Sequence, residues 1–354
     1  MTRFTRRSFL QSSAGGLAAL SLGNSLLAQE QKAQKAAAKK AAKPPEVSKD
    51  PLASLFLTWQ RDPTTTMTVQ WIGSSATEAT IQVAPVAGAG TIAAKTHVKP
   101  YPDTDLKVHR CELTGLKPGT EYKLRIGANE TDYRFRTMPA KATNTIQWVS
   151  GGDSGIDEHA IATNKIAAAQ EPQFALIAGD LAYDDGKNPL VFLKFLQNYR
   201  AHMVDPAGRL IPLLATIGNH EVNGAYNQTR DKSPAFLSVF DGLFREKTYN
   251  TLDFGDYLSL VLLDTEHIAP IAGEQTDWLA RALADRQDRP HLIVANHVPA
   301  YPSYRAPDNK SNDGGTGYDQ RRFWSPLFEK FNVDVVLEHH DHTFKRTHPL
   351  KGGH

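Results

Sequence analysis

Between residues 146 and 342 a short apolar run breaks five times into residues that can bind a metal ion. Residues 146–150 run into Gly152-Asp153-Ser154-Gly155, and 174–178 into Gly179-Asp180-Leu181-Ala182-Tyr183. Residues 210–217 run into Gly218-Asn219-His220-Glu221, 291–295 into Asn296-His297, and 333–337 into Glu338-His339-His340-Asp341-His342. A sixth run, 258–263, ends in Asp264-Thr265-Glu266. Helical patterns over 158–170, 188–204, 274–286 and 324–331 separate the runs, and such alternation predicts an α/β domain. In open α/β sheets ligands collect beyond the carboxyl ends of the strands. Donors scattered from residue 153 to residue 342 are therefore expected to meet.

Each motif taken singly has a bland reading. Gly-Asp is a common turn, Asn219-His220 can start a helix, and His297 can be a core histidine. His340-x-His342 is more specific, because alternate residues of a strand share a face and aim two imidazoles at one point. The ordered set of five outweighs the separate alternatives. Its donors are carboxylate, amide, phenol and imidazole without thiolate, a hard-to-borderline set suited to Fe, Mn, Zn or Mg. A phenolate donor favours a trivalent cation. The single cysteine, Cys111, excludes an intramolecular disulfide and a Cys-based zinc ribbon. Some seven donors are too many for one tetrahedral ion but fit two ions sharing a bridging carboxylate. Ions about 3.5–4 Å apart can clamp the attacking and leaving oxygens of a phosphoryl transfer. With 40 Lys and Arg against 38 Asp and Glu the chain lacks a basic footprint, so no nucleic-acid partner is expected.

Ahead of this region, residues 1–28 carry Arg6-Arg7 followed by Ser8-Phe9-Leu10 and a weakly apolar stretch. That is the pattern of a twin-arginine export signal, implying a periplasmic or extracellular destination. The stretch is too short and too rich in Gly and Ser to span a bilayer, so no transmembrane segment is expected in the mature chain. Residues 29–49 read as an Ala/Lys-rich spacer, and Pro44-Pro45 stops any helix. Residues 50–140 read as a small all-β domain, with alternating runs at 54–60, 66–71, 79–83, 107–113 and 133–137. Trp59 and Trp71 are expected in its core. Pro118-Gly119 sets a turn from which the Tyr122 hydroxyl can reach backbone across a sandwich corner. His97 and His109 are isolated and read as structural or solvated.

The motif series resembles the purple acid phosphatases of the metallophosphoesterase superfamily. Tyr183, three residues after Asp180, marks that branch, and Gly273-x-Gln275-x-x-Trp278-Leu279 is similar to it as well. The resemblance spans about residues 50–350. It implies an α/β fold over 145–354, a metallophosphoesterase-type β-sandwich of mixed sheets flanked by helices. A small all-β fibronectin III-like sandwich precedes it over 50–140. It implies that Asp153, Tyr183 and His342 hold Fe(III), that Asp180 bridges, and that Asn219, His297 and His340 hold a divalent Fe, Zn or Mn. His220 would contact the substrate phosphate, together with Asn219, or protonate the leaving group, and Glu221 would orient His220. The implied activity is that of an acid phosphatase, hydrolysing small phosphate monoesters by in-line attack of a metal-bound hydroxide. A phosphodiesterase or nucleotide hydrolase is the alternative. A non-catalytic binding protein is a remote one, against which the retention of all seven ligands argues.

Three departures stand out. His339 occupies the place where the resembled motif begins with Gly. Where many relatives carry a histidine pair after the fourth motif, this chain has Tyr301-Pro302-Ser303-Tyr304-Arg305, so Arg305 or Tyr304 is expected to contact substrate phosphate instead. Relatives continue beyond the equivalent of His354, so a truncated C-terminus is expected.

Overall fold

The computed structural model describes residues 45–305 and 315–352. The expected export signal lies outside these residues, as does most of the spacer and part of the loop after Arg305.

Eight strands build the first half: β1 (Phe56–Thr58), β2 (Met67–Gly73), β3 (Thr80–Pro85), β4 (Ile92–Lys95), β5 (His97–Pro100), β6 (Lys107–Leu113), β7 (Glu121–Ile126) and β8 (Tyr133–Arg136). They form two antiparallel sheets, ordered β1-β2-β6-β5 and β4-β3-β7-β8. β4 and β5 carry Ala, Lys and Pro on exposed or half-buried positions, which is why no alternating signal marked them. β7 buries Tyr122, Leu124 and Ile126 on one face and turns polar residues outward, the pattern of a sheet covered on one side. The Tyr122 hydroxyl accepts from Lys117 N at 2.8 Å and ties the corner.

β2 breaks that rule. All seven of its residues are buried, Thr68 and Gln70 among them. The reason is a second layer on its far face. Gln70 Nε2 donates to Val239 O at 3.0 Å, Arg110 reaches the same carbonyl, and Lys99 and Arg110 pair with Asp241. Trp59, just past β1, is fully buried. It meets Phe174 and Phe254 edge-on, at 6.0 and 5.8 Å between ring centroids.

In the second half, β9 (Val149–Gly151), β10 (Ala175–Ala178) and β11 (Leu213–Thr216) form a parallel sheet, ordered β11-β10-β9. Helices α1 (Glu158–Ala168) and α2 (Pro189–His202) connect them. Asp157 caps α1 through His159 N and Ala160 N, and Asn188 caps α2. After α3 (Pro234–Phe240) comes a mixed sheet ordered β12-β13-β14-β15. Its strands are β12 (Asn250–Phe254), β13 (Leu258–Leu262), β14 (His291–Ala295) and β15 (Val335–Leu337), with α4 (Thr276–Ala284) and α5 (Ser325–Lys330) between them. Only β12 runs antiparallel there. It was not expected as a strand, since Asn250, Thr251 and Asp253 leave it half-buried at the sheet edge. No helix among the described residues is long and apolar enough to cross a membrane.

Burial of Trp59 against Phe174 and Phe254 makes the two halves share one core. Trp59→Ala is expected to cost about 3–5 kcal/mol. Unfolding followed separately by a tryptophan signal from each half should still give one transition. Two separated transitions in the wild type would mean that the halves fold independently.

Candidate metal centre

The carboxyl ends of the two sheets are tied to each other by backbone. Asp153 N, Ser154 N and Gly155 N donate to Gly179 O, Asp180 O and Leu181 O at 2.9–3.1 Å, joining the loops after β9 and β10. Asn296 N donates to Leu337 O and His339 N to His297 O, joining those after β14 and β15. Two bonds then cross between the sheets. His297 Nδ1 meets Ala178 O at 3.0 Å, and His340 N donates to Asp153 Oδ2 at 2.8 Å.

This backbone brings all seven expected donors together in two groups. In the first, His297 Nε2 lies 3.1 Å from Asp180 Oδ2, 3.1 Å from Asn219 Oδ1 and 3.1 Å from His340 Nδ1. In the second, Tyr183 Oη is 3.0 Å from His342 Nε2, and His342 Nε2 is 3.4 Å from Asp153 Oδ1. His340 and His342 do not sit on alternate strand positions as expected. β15 ends at Leu337, and both histidines lie in the loop beyond with positive φ, 69° and 52°. Asp153, Asp180 and Tyr183 are left-handed as well, with φ of 53°, 54° and 56°. Residues held this way cost roughly 1–3 kcal/mol each and persist where surrounding structure over-determines them.

The donor set fits a cation. Only one proton can sit on His297 Nε2, and it can serve only one of three neighbours. A cation at that point would serve the converging carboxylate, amide and imidazole atoms together. Asp153 Oδ1 is also buried without a hydrogen bond of ordinary geometry. In the absence of another cation the imidazole itself takes up charge. Burial disfavours that, but Asp180 and Asp153 outweigh it and lift His297 to about 9. Burial alone would raise the Asp180 carboxyl, yet His297 and His220 beside it hold it far below the usual carboxylate range. Burial, then Asp153 and Asp180, push the Tyr183 phenol well above its ordinary value.

His220 borders both groups. Its backbone N donates to Asp180 Oδ1 at 2.9 Å, its Nε2 lies 4.0 Å from Asp180 Oδ2, and its Nδ1 pairs with Asp185. The expectation that Glu221 orients His220 is corrected here. The Glu221 carboxylate is fully buried and accepts from Asp180 N at 2.8 Å, Leu181 N at 2.7 Å and Gly218 N at 2.8 Å. A buried carboxylate beside three N–H groups satisfies backbone first, so it pins the second and third motifs together. Asp185, in the turn after Tyr183, is the residue that orients His220; nothing in an Asp-Asp pair signals that in sequence.

Arg305 and Tyr304 lie at the rim. Arg305 donates to His340 O at 2.6 Å and to Asp341 Oδ1 at 3.2 Å, while Asp341 Oδ2 accepts from Ser303 N and Tyr304 N. The middle residue of His340-Asp341-His342 thus anchors the 303–305 loop. Tyr304 is 58% exposed. Asp264, in the loop after β13, stays out of the cluster. It is fully buried and accepts from His267 N, Ile268 N and Ala269 N.

Gly218 touches Asp180 too closely for any side chain. A Cβ there would lie 2.4 Å from Asp180 Oδ1 and 2.5 Å from Asp180 N. Its own backbone is extended, φ −118°, so alanine is tolerated by the main chain. Gly218→Ala is therefore expected to displace Asp180 and strip metal while the fold survives. Elemental analysis beside a thermal melt checks this, and full metal content in the variant would contradict it.

A family model for the purple acid phosphatase N-terminal domain matches residues 53–145, and one for calcineurin-like phosphoesterases matches 147–344. Purple acid phosphatase 21 of Arabidopsis thaliana is 26% identical over 258 residues, covering 69% of this chain and 54% of its own. Acid phosphatase type 7 of Mus musculus is 26% identical over 267 residues, covering 69% and 58%. The chain thus spans about half the length of these curated relatives. Among solved structures, a purple acid phosphatase from yellow lupin (Lupinus luteus) seeds matches with a TM-score of 0.65 at 18% identity. That match covers 81% of this chain and 58% of the other and is a likeness of fold.

Proposed function

The chain belongs to the purple acid phosphatase family of calcineurin-like phosphoesterases, and on that premise we propose that it hydrolyses small phosphate monoesters at a binuclear metal centre. The observation that carries this reading is the convergence of seven donors in two groups, one of them with three donor atoms at 3.1 Å from a single imidazole nitrogen. Asp153, Tyr183 and His342 would hold ferric iron, and Asn219, His297 and His340 a divalent Fe, Zn or Mn. Asp180 would bridge. When bound, such a pair supplies Lewis acidity that neutralises phosphoryl charge and activates water.

The chain's own residues do the rest. Asp185 holds His220 Nδ1, so Nε2 turns toward Asp180 and the cluster, where it donates a proton to the departing alcohol. Asn219 and His220 flank the substrate phosphate. Glu221 keeps the Asp180 and Asn219 loops at a fixed separation. Arg305, held by Asp341, offers guanidinium nitrogens at the rim for a phosphate oxygen. The Arg6-Arg7 segment supports export, since that route carries proteins already folded around their metals.

His220→Ala is expected to keep both metals while hydrolysis of a phosphate monoester falls roughly 10²–10⁴-fold, the range for a lost acid–base group. Metal lost together with rate would make His220 a ligand instead. A phosphate diester turned over faster than a monoester by the wild type would overturn the substrate class.

Tyr183→Phe separates the two half-sites. The oxidised, iron-loaded protein is expected to show a visible phenolate-to-iron band, and this variant to lose it while holding its divalent ion. A band that survives the substitution would place another tyrosine on the iron. By contrast, Asp180→Asn should lose both ions, because a neutral amide cannot link two cations.

A further inference from the structure

The turn after Glu221 carries a tyrosine that the motif series does not include. Tyr226 Oη lies 3.3 Å from His340 Nε2, on the side of the imidazole opposite the donor cluster. His340 Nδ1 is the nitrogen turned inward, 3.1 Å from His297 Nε2 and grouped with Asp180. We propose that Tyr226 is a positioning residue that fixes the ring orientation and tautomer of His340 for the divalent ion; this rests on the metal reading above.

The chemistry of the two nitrogens leads there. A nitrogen that ligates must present a lone pair, so the proton of neutral His340 belongs on Nε2. Metal-ligating imidazoles almost always donate their other N–H to a fixed acceptor, which sets the ring plane. The Tyr226 oxygen, 3.3 Å from Nε2, is placed as that acceptor.

An acceptor orients a ligand only if it is itself held, and Tyr226 stands on a platform. Its ring lies on the His267 ring, 4.9 Å between centroids. His267 is fully buried, with Nδ1 3.0 Å from Ala225 O and Nε2 3.0 Å from Thr265 Oγ1. Asn227 N and Gln228 N donate to Glu266 O and His267 O at 2.7 and 2.9 Å, clamping the tyrosine turn onto the loop after β13. Beneath, Gln275 grips Asp264 from both sides, accepting from its N and donating to its O at 2.9 Å each. The Asp264-Thr265-Glu266 motif, absent from the donor cluster, thus acts on it through Tyr226.

Tyr226→Phe keeps the ring stack and removes only the oxygen. Zn²⁺ titrated calorimetrically into protein loaded with iron alone is expected to bind roughly 10–100-fold more weakly than in wild type, the usual loss when a ligand's outer partner is removed. The Tyr183 iron band and the melting temperature are expected to stay, and saturating Zn²⁺ to restore kcat. His340→Ala, measured alongside, should lose Zn²⁺ binding more completely. Wild-type Zn²⁺ affinity in Tyr226→Phe, with loss in His340→Ala, would overturn the role of Tyr226 and leave the metal reading standing. Loss of the iron band together with Zn²⁺ would also overturn it, since Tyr226 would then support the whole loop. Unchanged Zn²⁺ binding in His340→Ala would sink the metal assignment itself and this proposal with it.

Discussion

Four electron-pair donors crowd one point: His297 Nε2 with Asp180 Oδ2, Asn219 Oδ1 and His340 Nδ1 all at 3.1 Å from it. Such a cluster repels itself unless positive charge is supplied, and at protein dielectric the repulsion is several-fold larger than in water. The rest of the domain can be understood as what is needed to hold that arrangement. A proton on His297 is the minimal solution, and Asp180 and Asp153 raise its affinity for that proton against the effect of burial. Cations are the fuller solution, because they serve every donor at once.

The scaffold resists the repulsion with backbone rather than with side chains. Five of the seven donors sit at left-handed residues, which aims their side chains back over the strand ends. The cross-links that hold them there are main-chain bonds between loops, and the Glu221 carboxylate spent on three amides. Burial and the nearby Asp180 and Asp184 push the Glu221 carboxyl up, and the hydrogen bond from Leu181 N works against them. The sandwich half contributes stiffness from beneath. Phe174, the residue before β10, stacks on Trp148 and Phe254 and receives the edge of Trp59, so the strand that ends in Asp180 is backed by the shared core.

The donors were legible in sequence because strand ends of an α/β sheet must point to one region, and because each run stopped at a residue with metal chemistry. The parallel sheets were legible for the same reason, their strands being continuous apolar runs. Legibility ended where pairing depends on fold geometry. β4, β5 and β12 lie at sheet edges or in exposed positions, and their composition carries no period. His340-x-His342 suggested strand alternation, whereas the histidines converge because the chain turns left-handed after Leu337. Glu221, Asp185 and Tyr226 act through contacts that spacing does not encode. Asp185 lies 35 positions from His220, and Tyr226 lies 114 positions from His340.

The exchange at His339 shows how the two sheets keep their distance. Gly152 has an ordinary φ, so no turn demands glycine there. The demand is steric, since a Cβ on Gly152 would lie 2.5 Å from His339 Cγ and 2.7 Å from its Cβ. The imidazole fills the space that a glycine at 339 would leave, and the missing side chain at 152 makes room for it. Burial pushes His339 down to about 4, so it enters as a neutral wedge. Its neighbours in sequence are the donors themselves: Asp153 follows Gly152, His340 follows His339, and Asp153 Oδ2 accepts from His340 N at 2.8 Å. The wedge therefore sets the separation between the two donor groups. A bulky residue is accommodated at 339 because Gly152, packed against it, carries no side chain.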